Sequence, residues 1–191
     1  MTRAVTDALG LARFSTPLGV MGLAWSEAGI VATYLPEPRG EDTLRRMRRR
    51  FPHTPELAPP PLVERAIEAI GELLRGARRD LREIALDLRD VTELHRRIYE
   101  VARTIPPGKT LAYGEIAERL GDKGLAREVG AAMARNPFAI VVPCHRVLGA
   151  DGKLGGFSAP GGLETKLRLL SIEGVQMPGT LPLFASAEPE G

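Results

Sequence analysis

The chain has 191 residues, enough to bury a sizeable core as one large domain or two small ones without a covalent staple. Its single cysteine excludes an internal disulfide and fits a reducing, cytoplasmic compartment, and its three scattered histidines (His53, His95, His145) give no zinc spacing. The formal charge of +2 comes from 26 basic residues, nearly all arginine, against 24 acidic ones, and no run approaches the ~20 apolar residues of a membrane span.

The opening MTRAVTDALGLARF lacks the apolar stretch of a signal peptide. From Phe14 to Tyr34 two apolar runs flank the turn-rich SEAG, which predicts a β-hairpin. A helix follows over Glu41–Phe51, and its LRRMRRRF (Leu44–Phe51) has two readings, a nucleic-acid patch or the solvated face of a helix. A second helix spans about Leu62 to Leu74, with Val63, Ile67, Ile70 and Leu74 at helical spacing. IALDLRD (Ile84–Asp90) reads as another strand. Residues 1–90 are therefore expected to form a small α/β domain with a mostly antiparallel sheet.

From Val91 the pattern turns helical, and residues 91–175 are expected to form a second, mainly α domain. TELHRRIYEVARTI puts Leu94, Ile98 and Val101 on one face and is stopped by Pro106–Gly108. LAYGEIAERLG predicts a short helix ended by Gly121, and after DKG comes LAREVGAAMARN, a helix ended by Asn136-Pro137. Two short helices joined by a glycine turn match a helix-turn-helix, and on pattern alone an ordinary helical pair equally well. Ala126, Gly130, Ala131, Ala132 and Ala134 let the second helix approach a partner closely while Arg127 and Arg135 remain to contact it, which favours a DNA groove.

The only cysteine lies in AIVVPCHRV (Ala139–Val147). AIVV predicts a buried strand whose ladder Pro143 must interrupt, so Cys144 sits at a break. Adjacent strand side chains face opposite ways, so His145 reaches Cys144 only if the chain turns after Pro143 or a water links them. A thiol is little ionised at neutral pH and a nucleophilic cysteine needs a base, for which His145 is the candidate; the alternative is an inert buried thiol. The glycine-rich loop Gly149–Gly162, with Phe157 and Ser158, can bring backbone N–H groups close to a flat ligand. GGLETKLRLLSIEG then predicts a helix from Gly162, with Leu163, Leu167 and Leu170 on its apolar side and Gly174 as its stop. Glu173 falls in the last turn, where the helix dipole disfavours an anion. A cationic His145 would compensate it; a hydrated, frayed glutamate is the plain alternative.

NPFAIVVPCHRV, with AYGEIAERLG and AREVGAAMARNP before it and GGFS and KLRLLSIEG after it, resembles the O6-alkylguanine-DNA alkyltransferases, the methylated-DNA–protein-cysteine methyltransferases. The resemblance is dense over roughly residues 91–174 and thin before that. It implies an α/β N-terminal domain and a mainly α, winged helix-turn-helix-like C-terminal domain. It also implies an activity: irreversible transfer of the alkyl group of O6-alkylguanine in DNA to Cys144, one lesion per protein molecule, after the base is flipped out of the duplex. In that reading His145 deprotonates Cys144 through a water, Glu173 orients His145, and Tyr113 hydrogen-bonds the flipped guanine. Arg127 fills the vacated stack, with Ala126 and Arg135 beside it at the DNA. Asn136 ties the recognition helix to the active-site segment, Val147 and Ser158 read the base through backbone groups, and Met133 and Phe157 line the pocket. The partner implied is double-stranded DNA, the protein a monomer, and no cofactor or metal is implied.

Some features depart from the family pattern. Phe157 stands where some relatives have tyrosine, SAPGG is longer than in the animal members, VTELHRR lacks the usual aromatic, and Glu128 puts an anion beside Arg127. Residues 176–191 are expected to be a disordered tail; in it TLPLF (Thr180–Phe184) loosely resembles peptides that bind the replication sliding clamp, the alternative being a tail folded back on the body. Two rival functions remain at this point: a DNA-binding lesion sensor or regulator without chemistry, and a cysteine hydrolase that turns over.

Overall fold

The computed structural model describes residues 7–37 and 40–175. Strands β1 (Gly10–Thr16), β2 (Gly19–Ser26) and β3 (Gly29–Tyr34) form one antiparallel sheet in the order β1-β2-β3. The hairpin expected over Phe14–Tyr34 is thus one strand short. β1 starts at Gly10, and the chain reverses at Pro17-Leu18, where the Thr16 hydroxyl donates to Gly19 O and accepts from the Leu18 N–H. At the second reversal Gly29 has φ +140°, and a Cβ there would lie 2.5 Å from Ala85 O, so both backbone angle and close approach require glycine.

Each face of the sheet is covered. Helix α1 (Gly40–Arg50) lays Met47, with Phe51 just beyond it, against Leu11, Ala24, Val31 and Tyr34. Its arginines face outward: Arg45 pairs with Asp42 at 2.9 Å and Arg46 with Glu37 at 3.0 Å, while Arg48 and Arg49 are exposed. Helix α2 (Pro61–Leu74), opened by a proline at its first position, buries Val63, Ala66, Ile70, Leu73 and Leu74 on the opposite side. IALDLRD is not a sheet strand. It touches β3 through one parallel bridge, with Ile30 N–H donating to Ala85 O and Asp87 N–H donating to Ile30 O. The Asp87 carboxylate then takes the Ser26 hydroxyl at 2.6 Å and the Arg89 side chain, and the chain bends away.

In the C-terminal half, Thr92 caps helix α3 (Glu93–Arg103), which buries Ile98, Tyr99 and Ala102, with Leu94 and Val101 at the margin. Helices α4 (Tyr113–Arg119) and α5 (Ala126–Ala134) follow, joined by Leu120–Leu125 with a 3₁₀ turn at Lys123–Leu125, and both pack on α3. A short parallel pair, β4 (Leu111–Ala112) and β5 (Val147–Leu148), brackets α4 and α5 and brings the start of α4 beside the segment after Cys144. Helix α6 (Gly162–Ile172) closes the half. One hydrophobic cluster joins the halves, uniting Leu23 and Trp25 with Ile98, Val129, Phe138, Val142 and Leu169.

Two expectations fail here. AIVV is not a strand: Val142 N–H donates to Phe138 O at 2.8 Å and Ile140 has φ +77°, so the run coils into a tight turn. Side chains rather than a neighbouring strand take its polar groups, because Asn136 accepts from Phe138 N–H and donates to Val142 O. The apolar side of α6 is also only partly the expected one: Leu170 is buried as expected and Leu167 half-buried. Leu163 is 46% exposed, whereas Leu169 and Leu170 are buried with Lys166.

Among the described residues no helix is long and apolar enough to cross a membrane, and no group of three or more His, Cys, Asp or Glu side chains is placed to hold a metal ion. The tail and its TLPLF lie outside the described residues.

Candidate active site

Cys144 opens a 3₁₀ turn, Cys144–Arg146, that follows directly from the coil described above. The chain therefore turns after Pro143, as one of the two sequence alternatives required. Its sulfur lies at the floor of a cavity of about 360 Å³ lined by Tyr113, Gly130, Met133, Ala134, Gly156, Phe157 and Ser158. That size falls in the range of small-molecule sites, roughly 300–1,000 Å³. One wall is α5, the other the glycine-rich loop, and the Ser158 hydroxyl ties them by donating to Ala134 O at 2.9 Å. Cys144 itself is 9% exposed and is one of the residues that line this cavity.

Behind the sulfur is a buried ionic network. His145 Nε2 lies 2.9 Å from Glu173 Oε1; Arg146 Nη2 donates to the same oxygen at 2.7 Å and Arg146 Nε to Oε2 at 2.8 Å. Arg146 Nη1 donates to Ile105 O, and Gly108 N–H completes the carboxylate's set. Glu173 thus has the compensation that its place at a helix C-terminus demands, from Arg146 as well as His145. Its position is set by the end of α6, where Gly174 (φ +77°) lets Gly174 N–H reach Ser171 O and Val175 N–H reach Leu170 O.

Burial would raise the Glu173 carboxyl, but the hydrogen bonds and charges of His145 and Arg146 outweigh it and hold it down to about 2. Burial pushes the His145 imidazole below its usual value against the pull of Glu173, so the ring rests neutral. With Nε2–H donated to the carboxylate, Nδ1 is left as the acceptor, and it is buried with no hydrogen-bond partner. No hydrogen bond joins the ring to Cys144 Sγ directly. Burial also raises the Cys144 thiol; the Asn136 side chain, the Lys166 charge and nearby backbone N–H groups work the other way.

Lys166 is a residue that sequence reasoning missed. It is fully buried, donates from Nζ to Val147 O at 2.7 Å and to Leu154 O at 2.5 Å, and burial lowers its pKa to about 8. The signal was available: Lys166 and Glu173 are seven residues apart and share one helical face with Leu169 and Leu170. The Val147 carbonyl, expected to read the base, already accepts from Lys166 and has one lone pair left.

Tyr113, Met133, Phe157 and Ser158 thus meet at the cavity with Cys144, while Asn136, His145, Glu173 and Val147 stand behind its wall. Ala126 and Arg127 sit at the N-terminal end of α5, Arg127 exposed, and Glu128 turns away from it to pair with His95 of α3 at 2.9 Å. Arg135 parts company with this set. It lines a separate cleft of about 330 Å³ with Arg50, His95 and Phe138.

Residues 93–175 match the family description "6-O-methylguanine DNA methyltransferase, DNA binding domain". The methylated-DNA–protein-cysteine methyltransferase of Mycolicibacterium paratuberculosis is 49% identical over 119 residues, 62% of this chain and 70% of that one. That of Methanothermobacter thermautotrophicus is 36% identical over 163 residues, 85% of this chain and 84% of that one.

The chain belongs to the methylated-DNA–protein-cysteine methyltransferase family.

Its fold agrees with solved members: the Mycobacterium tuberculosis protein in complex with DNA superposes with a TM-score of 0.68 at 33% identity, over 86% of this chain and 92% of that one. The single cysteine of this chain lies among the residues that line the cavity. The small three-stranded sheet and the helical second half are the two-part architecture expected of it.

Proposed function

We propose that this protein repairs O6-alkylguanine in double-stranded DNA by moving the alkyl group irreversibly to Cys144. The observation that carries the reading is the placement of Cys144 Sγ at the floor of a nucleobase-sized cavity, backed by His145 and Glu173. A neutral thiol beside a neutral imidazole is a resting pair that needs one proton transfer. His145 Nδ1 takes the thiol proton through a bridging water, and Glu173, itself fixed by Arg146, holds the ring and offsets its charge as it becomes cationic. The thiolate attacks the alkyl carbon, a C–S bond forms as the C–O bond breaks, and guanine leaves on its oxygen. The thioether does not reverse, so each molecule acts once.

In the same proposal Tyr113, whose hydroxyl is kept protonated by burial and by the nearby Cys144, donates to the flipped base, and Phe157 and Met133 enclose it. Val147 O and the Ser158 backbone read its polar edge. Arg127, Ala126 and the rest of α5 enter the DNA, Arg127 filling the space left by the extruded base. Glu128, committed to His95, does not oppose phosphate at that face. Residues 91–175 carry the chemistry and 1–90 form a supporting domain; the protein works as a cytoplasmic monomer without a cofactor, and any sliding-clamp contact through Thr180–Phe184 is a weak tether.

Excess duplex carrying O6-methylguanine, followed by intact mass and peptide mapping, tests this. The expected result is one methyl group on the Cys144 peptide, with repaired guanine equal to protein. Multiple turnovers with an unmodified thiol would establish a hydrolase, and binding without a mass change a lesion sensor.

A further inference from the structure

β3 is an edge strand, yet its outer side is occupied by the segment that leads from α5 to the cysteine. Thr33 makes the contact. Its backbone N–H donates to Pro137 O at 2.9 Å and its hydroxyl donates to Ala139 O at 2.7 Å, across 106 residues of sequence. Thr33 is 6% exposed, so its hydroxyl is a largely buried polar group whose hydrogen bond goes to one specific carbonyl. From the other side Asn136 holds Phe138 N–H and Val142 O, and Cys144 N–H donates to Val142 O. The coil between Asn136 and Cys144 is therefore clamped twice, once from each half of the protein.

The Ala139 carbonyl belongs to the peptide plane that sets φ of Ile140, and that angle, +77°, is one that a β-branched residue adopts only when its surroundings enforce it. Strand propensity alone does not call for threonine at position 33, since valine pairs as well at an edge; the hydroxyl adds a grip on that plane. We propose that Thr33 is a positioning residue for alkyl transfer, fixing from the N-terminal half the turn that sets the placement of Cys144 Sγ in its cavity. The inference rests on Cys144 being the acceptor.

Thr33→Val keeps shape, branching and the backbone N–H and removes only the donor; Thr33→Ser keeps the donor. The full-length variants are compared with wild type in single-turnover alkylation of Cys144, using free O6-benzylguanine and an O6-methylguanine duplex, with duplex affinity and folded fraction measured alongside. Thr33→Val is expected to slow transfer about tenfold on both substrates, as a small misplacement of a reacting atom does, while duplex Kd stays within about twofold. The pH dependence of its rate should move upward, because a loosened turn also loosens the Asn136 side chain from the thiol. Thr33→Ser should return to within about twofold of wild type, since only the hydroxyl is restored. A Thr33→Val protein that is less stable but transfers at the wild-type rate per folded molecule overturns the proposal, as does Thr33→Ser as slow as valine. Thr33→Ala serves the same comparison if the valine variant does not fold. Absence of alkyl on Cys144 in the wild type defeats the acceptor reading itself, and the role of Thr33 with it.

Discussion

Two stretches of this chain have almost the same composition and opposite conformations. GIVATY (Gly29–Tyr34) is a strand, bulged once at Val31, whereas AIVVP (Ala139–Pro143), equally small and β-branched, coils with Ile140 in the left-handed region. The difference lies in who supplies the backbone partners. β3 meets β2 along most of its length, so its N–H and C=O groups are satisfied by a ladder. The cysteine segment meets Asn136, Thr33 and its own backbone, and Pro143 has no N–H to offer a ladder. Residue type sets what a segment tolerates; available hydrogen-bond partners decide what it does. The sheet serves stability, and the coil serves placement of one sulfur.

That comparison can be broken most severely at Glu173. Glu173→Gln leaves Arg146 buried without its counterion and is expected to cost about 3–5 kcal/mol in urea denaturation. It should also lower the transfer rate about 100-fold or more in single-turnover assays, through loss of the oriented base. The sheet should respond differently. Met21→Ala, at a fully buried β2 position, is expected to cost about 2–5 kcal/mol while leaving the rate per folded molecule unchanged; a rate loss there would erase the distinction between the regions.

Asn136→Ala is the complementary change in the coil. It strips partners from Phe138 N–H and Val142 O, for about 1–3 kcal/mol, and moves the pH profile of transfer upward because the thiol loses a group that favours its ionised form. Acid should act on the coil's backing before it acts on the sheet. His145 and Glu173 both titrate lower in the folded protein than in the unfolded chain, so the stability they contribute is complete above pH 6.5. It declines as pH falls below that point, and Glu173 adds its share between 4.5 and about 2; thermal melts across this range should show it. The smallest effect belongs to the pair His95–Glu128, whose glutamate is open to solvent: His95→Gln should change stability by about 1 kcal/mol or less.

Much of the fold was legible because helices announce themselves locally. The Pro106–Gly108 stop after α3 and the glycines after α4 and α6 are near-neighbour signals, and each boundary fell within a residue or two of its expected place. Strands were read less well. β1 was lost because its turn at Pro17-Leu18 lacks a glycine at its centre, and Ile84–Asp90 was overread because one bridge to Ile30 is all its apolar pattern earned. In the site, Tyr113, Phe157 and Ser158 do line the cavity, while Lys166 was missed: its helical spacing with Leu169, Leu170 and Glu173 marks a buried face, but the two carbonyls that hold it there are distant in sequence.

By itself, then, the sequence determined the order of helices around its single cysteine and, through the motif that contains it, the resemblance to the family, because these reside in adjacent residues and short-range periodicity. Tertiary structure alone decided that AIVV coils, that Arg146 shares Glu173 with His145, and that Thr33 and Ala139 meet. Each of those outcomes is a contest for hydrogen bonds among groups tens of residues apart, and no local pattern records who wins it.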